Sequence, residues 1–405
     1  MQRVLIRRLG ILVALVSFAD FIFGATVVVH MLNGGLTGAT IGIALAVSGV
    51  LSLAVETPSG AWGDKHGQRR ILVIGLVLWG LGLLAFGFAQ SMLIFTVALV
   101  LWGIGQSCYS GAPTSLVLNR LHEEIGDEGI AGVMRKVHVI RWTASGAAAA
   151  SVFLTAEHLA VDTTIIVAGA LLLPVALWVR LRWPEQRSET KDSTARLLGR
   201  GLRLAVTGEL RTQMIHAALI GFLLTVLILT WQPLSMETIG LRPESLGLVL
   251  LVFTAASAVG AWGTRFTERF GARRVLPIGL VLTCAVMLTV GAGAVATGAA
   301  LVAAEALTGL LMCLNAIRAQ QLFPDALRTT MTSIMSAVLG LSMALGDFVT
   351  GLLWEFMGVE AAVRWCALSV AVGCLAVYIA DRFKSAANPE VAGEPETFEP
   401  VGQRG

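Results

Sequence analysis

Charged side chains are scarce in this chain: Asp, Glu, Lys and Arg supply 14% of its 405 residues, where a soluble globular domain carries about a quarter. So thin a polar coat excludes water as the main solvent, and without a dense basic stripe no nucleic-acid partner is expected. Histidine is sparse too. Its six copies, His30, His66, His122, His138, His158 and His216, are scattered and make no metal-ligand cluster. The five cysteines all lie inside apolar runs, and their odd number implies no disulfide framework. A phosphate-cradling glycine loop is also missing, which argues against direct coupling to ATP. What is abundant is apolar sequence: 56% of the residues are hydrophobic and the mean hydropathy is +0.79. These residues fall in runs of about 20, the length an α-helix needs to cross a hydrocarbon core roughly 30 Å thick.

Twelve such runs are predicted as membrane helices, at 9–31, 40–60, 71–90, 92–117, 137–156, 161–180, 213–233, 244–262, 274–293, 297–317, 330–352 and 361–381. The basic cluster Arg3, Arg7 and Arg8 could open a signal peptide, but the run behind it is about twice the length of a signal core and leads into further spans. It is read as the first helix. An even number of spans puts both chain ends on one side, and alternate loops assigned to that side hold 27 of the 29 Lys and Arg. Only Arg242 and Arg364 lie opposite. Basic loops stay in the cytoplasm, so both termini are expected there, in a multi-pass cell-membrane protein embedded in the lipid bilayer. The longest polar stretch, 183–212, is read as a cytoplasmic linker between an N-terminal six-helix bundle at 1–182 and a C-terminal one at 213–385. Within it, RLLGRGLRL is expected to be a solvated basic tether in preference to an amphipathic surface segment, being short and holding two glycines. The tail, 386–405, is rich in Pro, Glu and Gly and is expected to be disordered.

The chain also repeats itself. GAWG at 60–63 recurs at 260–263, and RRILVIGLVL at 69–78 recurs as RRVLPIGLVL at 273–282, identical at eight of ten positions. Both copies lie between the second and third spans of their own six, as tandem duplication of a six-helix unit predicts. The first copy, GAWGDKHGQRR, resembles the loop motif of the major facilitator superfamily, G-x-x-x-D-R/K-x-G-R/K-R/K, with Gly60, Asp64, Lys65, Gly67, Arg69 and Arg70 in its positions. That resemblance implies an all-α membrane protein with twelve transmembrane helices in two pseudo-symmetric six-helix bundles, a transporter of the broad drug and metabolite exporter branch and not an enzyme. It further implies that this loop is a cytoplasmic gate, tying the bundles together in one conformation and releasing them in another. Glu56, one turn before Gly60, is expected to join the latch by bonding Arg69, Arg70 or a helix end. In the second copy Thr264 replaces the aspartate, so that latch should be weaker or rely on Glu268.

Ionisable groups inside hydrocarbon are costly and mark pathways, partners or proton relays. Asp20 falls near the middle of the first span and Glu305 near the middle of the tenth, neither with a basic residue at similar depth on its own helix. Each is a candidate to bind and release a proton; the alternative is a permanently protonated carboxyl bonded across helices. Asp347 is read as structural, and Arg141 is expected to snorkel toward the nearer surface. The resemblance implies that spans one, four, seven and ten line a central cavity. It therefore directs attention to Asp20, Gln106, Tyr109, Trp231, Gln232, Glu305, Met312 and Asn315, although each of these also suits packing. Leu99 stands where the drug/proton antiporter pattern has arginine, and the fifth span carries SGAAAASV in place of that pattern's Gly-Pro-rich stretch.

These features favour proton-coupled export of a hydrophobic or cationic small molecule by alternating access. The proton gradient would be the energy source, no cofactor is expected, and a monomer would suffice. The alternative is proton-coupled uptake of a small polar metabolite, which Gln106, Tyr109 and Asn315 would suit. A non-transporting receptor or membrane enzyme on the same fold is the reading from a different class.

Overall fold

A computed structural model describes residues 2–110, 112–185, 194–267, 270–324 and 327–387; the side chains of some helical residues, Asp64 and 118–132 among them, lie outside the described set. The described chain forms α1 (Gln2–Asn33), α2 (Gly38–His66), α3 (Gln68–Gly87), α4 (Met92–Ser110), α5 (Ala112–Thr155), α6 (Val161–Arg182), α7 (Thr194–Ala205), α8 (Gly208–Pro233), α9 (Leu246–Thr267), α10 (Ala272–Met287), α11 (Ala294–Leu322), α12 (Arg328–Met357) and α13 (Val359–Ala387). Ten helical segments among the described residues are long and apolar enough to cross a membrane. Lipid cannot satisfy a bare amide, and a helix answers that by bonding every peptide group within itself. The twelve expected spans map in order onto α1–α6 and α8–α13.

Two stretches depart from the sequence reading. Helix α5 (Ala112–Thr155) runs without a break through 118–136, expected to be a loop between the fourth and fifth spans, and residue 111, which separates it from α4, lies outside the described residues. Its first half carries LHEEIGDEG, which a search for apolar runs passes over. The second departure is RLLGRGLRL, which is helical within α7 and is no bare tether. Gly201 and Ala205 are buried, and a Cβ added to Gly201 would sit 2.7 Å from Ile334 and 3.0 Å from Thr330 of α12. Arg200, Leu202 and Arg203 point outward. Of the linker and tail, 186–193 and 388–405 lie outside the described residues.

Packing divides the helices into two sets. One apolar core is built by α1–α6 around Leu12, Leu76, Phe86 and Leu172, with Leu229 as its member from beyond α6. A second is built by α8–α13 around Leu227, Leu280, Leu311 and Val363, with Val29 as its member from α1. A smaller cluster of Ala205, Met214, Phe323 and Met331 sits where α7 meets α8, α11 and α12. The duplication is visible in the backbone. Gly67 (φ 117°) and Gly271 (φ 73°) precede α3 and α10 at matching points of the repeat. Such positive φ values suit glycine, which has no Cβ to clash. Even the aromatic decoration repeats: Trp62 stacks on His66 at 4.8 Å between ring centroids, and Trp262 meets Phe266 at 5.0 Å.

Candidate functional site

Among the expected cavity residues, the structure brings Asp20, Gln106 and Tyr109 together. Gln106 of α4 donates from Nε2 to the Asp20 carboxylate of α1 at 2.9 Å. Arg141 of α5 belongs to the same six-helix set. Arg141 is exposed, and no ion pair or hydrogen bond joins its side chain to Asp20 or Tyr109 among the described residues. The indole of Trp102 also borders Asp20, yet its Nε1 makes no aligned hydrogen bond. Tyr109 packs edge-on against Trp79 at 5.6 Å, and Phe21 meets Trp142 at 6.4 Å. Acid, amide and phenol thus share one region of the first helix set.

Glu305 lies in the other set of helices. Ser257 of α9 donates to its Oε1 at 2.6 Å, and no hydrogen bond or ion pair among the described residues links it to Asp20. The remaining expected cavity residues are engaged elsewhere. Asn315 accepts from Gln213 Nε2 at 2.7 Å and is buried. Trp231 packs edge-on against Phe253 at 5.5 Å in the second core, against which Met312 also packs. The carboxylate of Asp347 accepts from Thr225 Oγ1 at 2.5 Å between α12 and α8, in keeping with its structural reading.

Gln232 does something the sequence did not suggest. Its side chain, wholly buried, accepts from the Val29 amide at 2.8 Å and donates to the Gly24 carbonyl at 2.9 Å. It thereby staples α8 to α1, just before a single π-helical turn, Leu234–Thr238. This staple lies toward the end of the molecule away from the termini, called the distal end below. The α2–α12 seam runs from the same end. A Cβ on Gly38 would lie 2.7 Å from the Trp354 ring, one on Gly351 2.8 Å from Gly42 Cα, and one on Gly340 2.9 Å from Leu53. Likewise Gly247 of α9 meets Ala149 and Phe153 of α5. Small residues let helix backbones approach closely, and in lipid that close packing is a principal source of attraction.

At the terminal end, the motif side chains that can be described face α6. Arg69 donates to the Trp183 carbonyl at 2.9 Å, its amide bonds Glu185 Oε1 at 3.0 Å, and its Nε lies 3.3 Å from Glu185 Oε2. The last contact is an ion pair without aligned hydrogen-bond geometry. Arg70 reaches the same carboxylate only at 4.0 Å. Both arginines thus turn to Glu185, just past α6, and not to Glu56, whose carboxyl bonds no described residue. Gly67 is where it must be, since a Cβ there would collide with the Glu185 carboxylate. Lys65 is exposed. Gly60 and the Asp64 side chain lie outside the described set, as does Glu268 of the second copy.

Two six-helix sets joined through close-packed seams, with a polar cluster on the first helix of one set, define a membrane transporter architecture. The sequence profile described as Major Facilitator Superfamily matches residues 9–266 and 235–403, and the chain belongs to that family. Solved structures agree in fold. The nucleoside transporter NupG superposes with a TM-score of 0.78 at 15% identity, covering 93% of this chain and 98% of that one. A bacterial homologue of the human lysosomal transporter Spinster, inward-facing and unoccupied, gives 0.69 at 15% identity over 96% and 97%. A POT family transporter in complex with 5-aminolevulinic acid gives 0.72 at 13% identity over 92% and 95%. Among curated proteins, none matches the chain significantly. The protein is a membrane transporter of the major facilitator type.

Proposed function

We propose that the protein is a proton-coupled secondary transporter that exports an amphipathic organic molecule by alternating access, with Asp20 as the principal proton-binding group. The observation that carries this reading is the Asp20 cluster. A carboxyl at mid-span, hydrogen-bonded to Gln106, can exchange a proton for a change in its partners. The aromatic rings of Trp102 and Tyr109 offer apolar faces beside it. Glu305, held by Ser257, is assigned as a second proton-binding group in the other bundle. The motif loop, through Arg69, Arg70 and Gly67, is assigned to the cytoplasmic gate. The bundles are taken as 1–182 and 213–385 and the unit as a monomer with cytoplasmic termini. In this reading the arrangement described above, touching along its distal side, is the state open toward the termini.

The second reading, uptake of a small polar metabolite with a proton, is favoured by the hydrogen-bonding groups that Asp20, Gln106 and Tyr109 bring to one place. A substrate screen in proteoliposomes with an imposed pH gradient decides between them. Export predicts accumulation of an amphipathic compound in inside-acid vesicles by inverted-orientation protein, abolished in Asp20→Asn. Solute movement with no dependence on the pH gradient would overturn proton coupling under either reading.

A further inference from the structure

A groove at the terminal end is lined by Trp62, Arg69, Arg70, Val73, Ile74 and Arg180 and encloses about 410 Å³. Three guanidiniums from α3 and α6 therefore border one hollow. Glu185 is the only described carboxylate within pairing distance of any of them, and it sits with Arg69 at 3.3 Å. Arg70, with 58% of its side chain exposed, reaches it only at 4.0 Å. Arg180 is exposed and makes no ion pair or hydrogen bond among the described residues. Among the described side chains, Glu185 alone offsets these three positive charges. Its other walls are apolar and face outward: Trp62 is 39% exposed and Ile74 40%. Below them the outer faces of α3 and α6 continue as exposed Leu81 and Leu177. Cations at the end of membrane spans with an apolar track running toward mid-membrane match one kind of molecule, an anion that carries hydrocarbon.

We propose that this groove is a binding site for an anionic phospholipid, its phosphate held by Arg70 and Arg180 and one acyl chain laid against Ile74, Leu81 and Leu177. Guanidiniums present planar pairs of N–H donors that fit phosphate oxygens. Trp62 is an indole at the span end, where amphipathic rings settle at headgroup depth. Because Arg69 and Arg70 open the third helix and Arg180 closes the sixth, the lipid would sit on the same joint that Glu185 ties. Its phosphate would compete with Glu185 for Arg70.

The test is native mass spectrometry of the detergent-solubilised full-length protein, titrated with dioleoylphosphatidylglycerol or dioleoylphosphatidylcholine. Each basic side chain near a lipid surface contributes about fivefold in affinity. The Arg70→Ala/Arg180→Ala variant should therefore bind phosphatidylglycerol roughly 30-fold more weakly than wild type, with phosphatidylcholine binding unchanged. Arg70→Lys/Arg180→Lys should retain most of the preference. Should the alanine variant fail to fold, salt serves instead: raising ionic strength from about 0.05 to 0.5 M must weaken phosphatidylglycerol binding to the wild type and spare phosphatidylcholine. Equal binding of the two lipids, an unchanged preference in the alanine variant, or displacement of the lipid by millimolar inorganic phosphate would overturn the assignment, the last by showing a soluble-anion site.

Discussion

Replacing Gln232 by leucine tests whether the distal staple holds the two bundles closed. The leucine keeps most of the volume but removes both bonds to α1, those to the Val29 amide at 2.8 Å and the Gly24 carbonyl at 2.9 Å. A buried neutral hydrogen bond contributes about 1 kcal/mol in water-soluble proteins and about 0.6 kcal/mol between membrane helices. Two such bonds, present only when the distal side is closed, therefore weigh roughly 1–2 kcal/mol on the equilibrium. Losing them should raise the ratio of distal-open to distal-closed molecules by about 5- to 30-fold. Spin labels at Asn33 and Glu244, both exposed beyond the staple, would report this as a longer-distance population in pulsed dipolar spectroscopy. If Gln232→Leu leaves the distance distribution as in wild type while the protein is equally stable, the staple does not set the equilibrium.

Asp20→Asn should abolish uphill transport driven by a pH gradient while preserving substrate exchange, measured by counterflow in liposomes, because the amide mimics a carboxyl that never releases its proton. Ser257→Ala should alter the pH dependence of transport through loss of the 2.6 Å bond to Glu305, whereas Glu305→Gln should remove that dependence on its side; identical pH profiles for both variants and wild type would strip Glu305 of its role. Gly67→Ala combines a φ of 117° with a collision against Glu185 and should cost about 1–3 kcal/mol, read as a lowered thermal midpoint in detergent. Gly351→Ala should wedge the α2–α12 seam, where the added carbon would lie 2.8 Å from Gly42 Cα; overpacking of about 1–3 kcal/mol should appear as a shift toward the distal-open population in the same dipolar experiment.

Most of the helices were legible because a span must be long and apolar whatever it packs against, so a window of hydropathy finds α1 or α8 without knowing its neighbours. The same window failed at α5, whose first half is helical and polar, and at α7, where alternate faces matter more than mean hydropathy. Site residues were legible in kind but not in placement. Asp20 stood out as an acid in hydrocarbon, and Gln106 as a polar residue on a neighbouring span. That Gln106 would bond Asp20 was not legible, because the rotation of one helix against another is decided by packing across the bundle. Gln232 shows the limit most clearly. Polarity marked it as a candidate for the cavity, whereas its burial and partners make it a bond between helices. Glu185 was missed for a simpler reason: it lies in the polar stretch after a span, where one more carboxylate attracts no notice.

The two separate cores carry a consequence for how this sequence can change over generations. Apart from Leu229 and Val29, each core recruits its buried members from its own six helices, so a volume change at Leu76 is answered by neighbours in the first set and is silent in the second. Substitutions in different cores should then combine additively, and either half can drift without compensation from the other. The shared obligation falls on thin lines of small residues, Gly38, Gly42 and Gly49 facing Gly351 and Ala344 on one side and Gly247 facing Ala149 on the other, together with Gln232. Relatives that have diverged almost everywhere else would be expected to keep those lines small, because there the two halves must still agree.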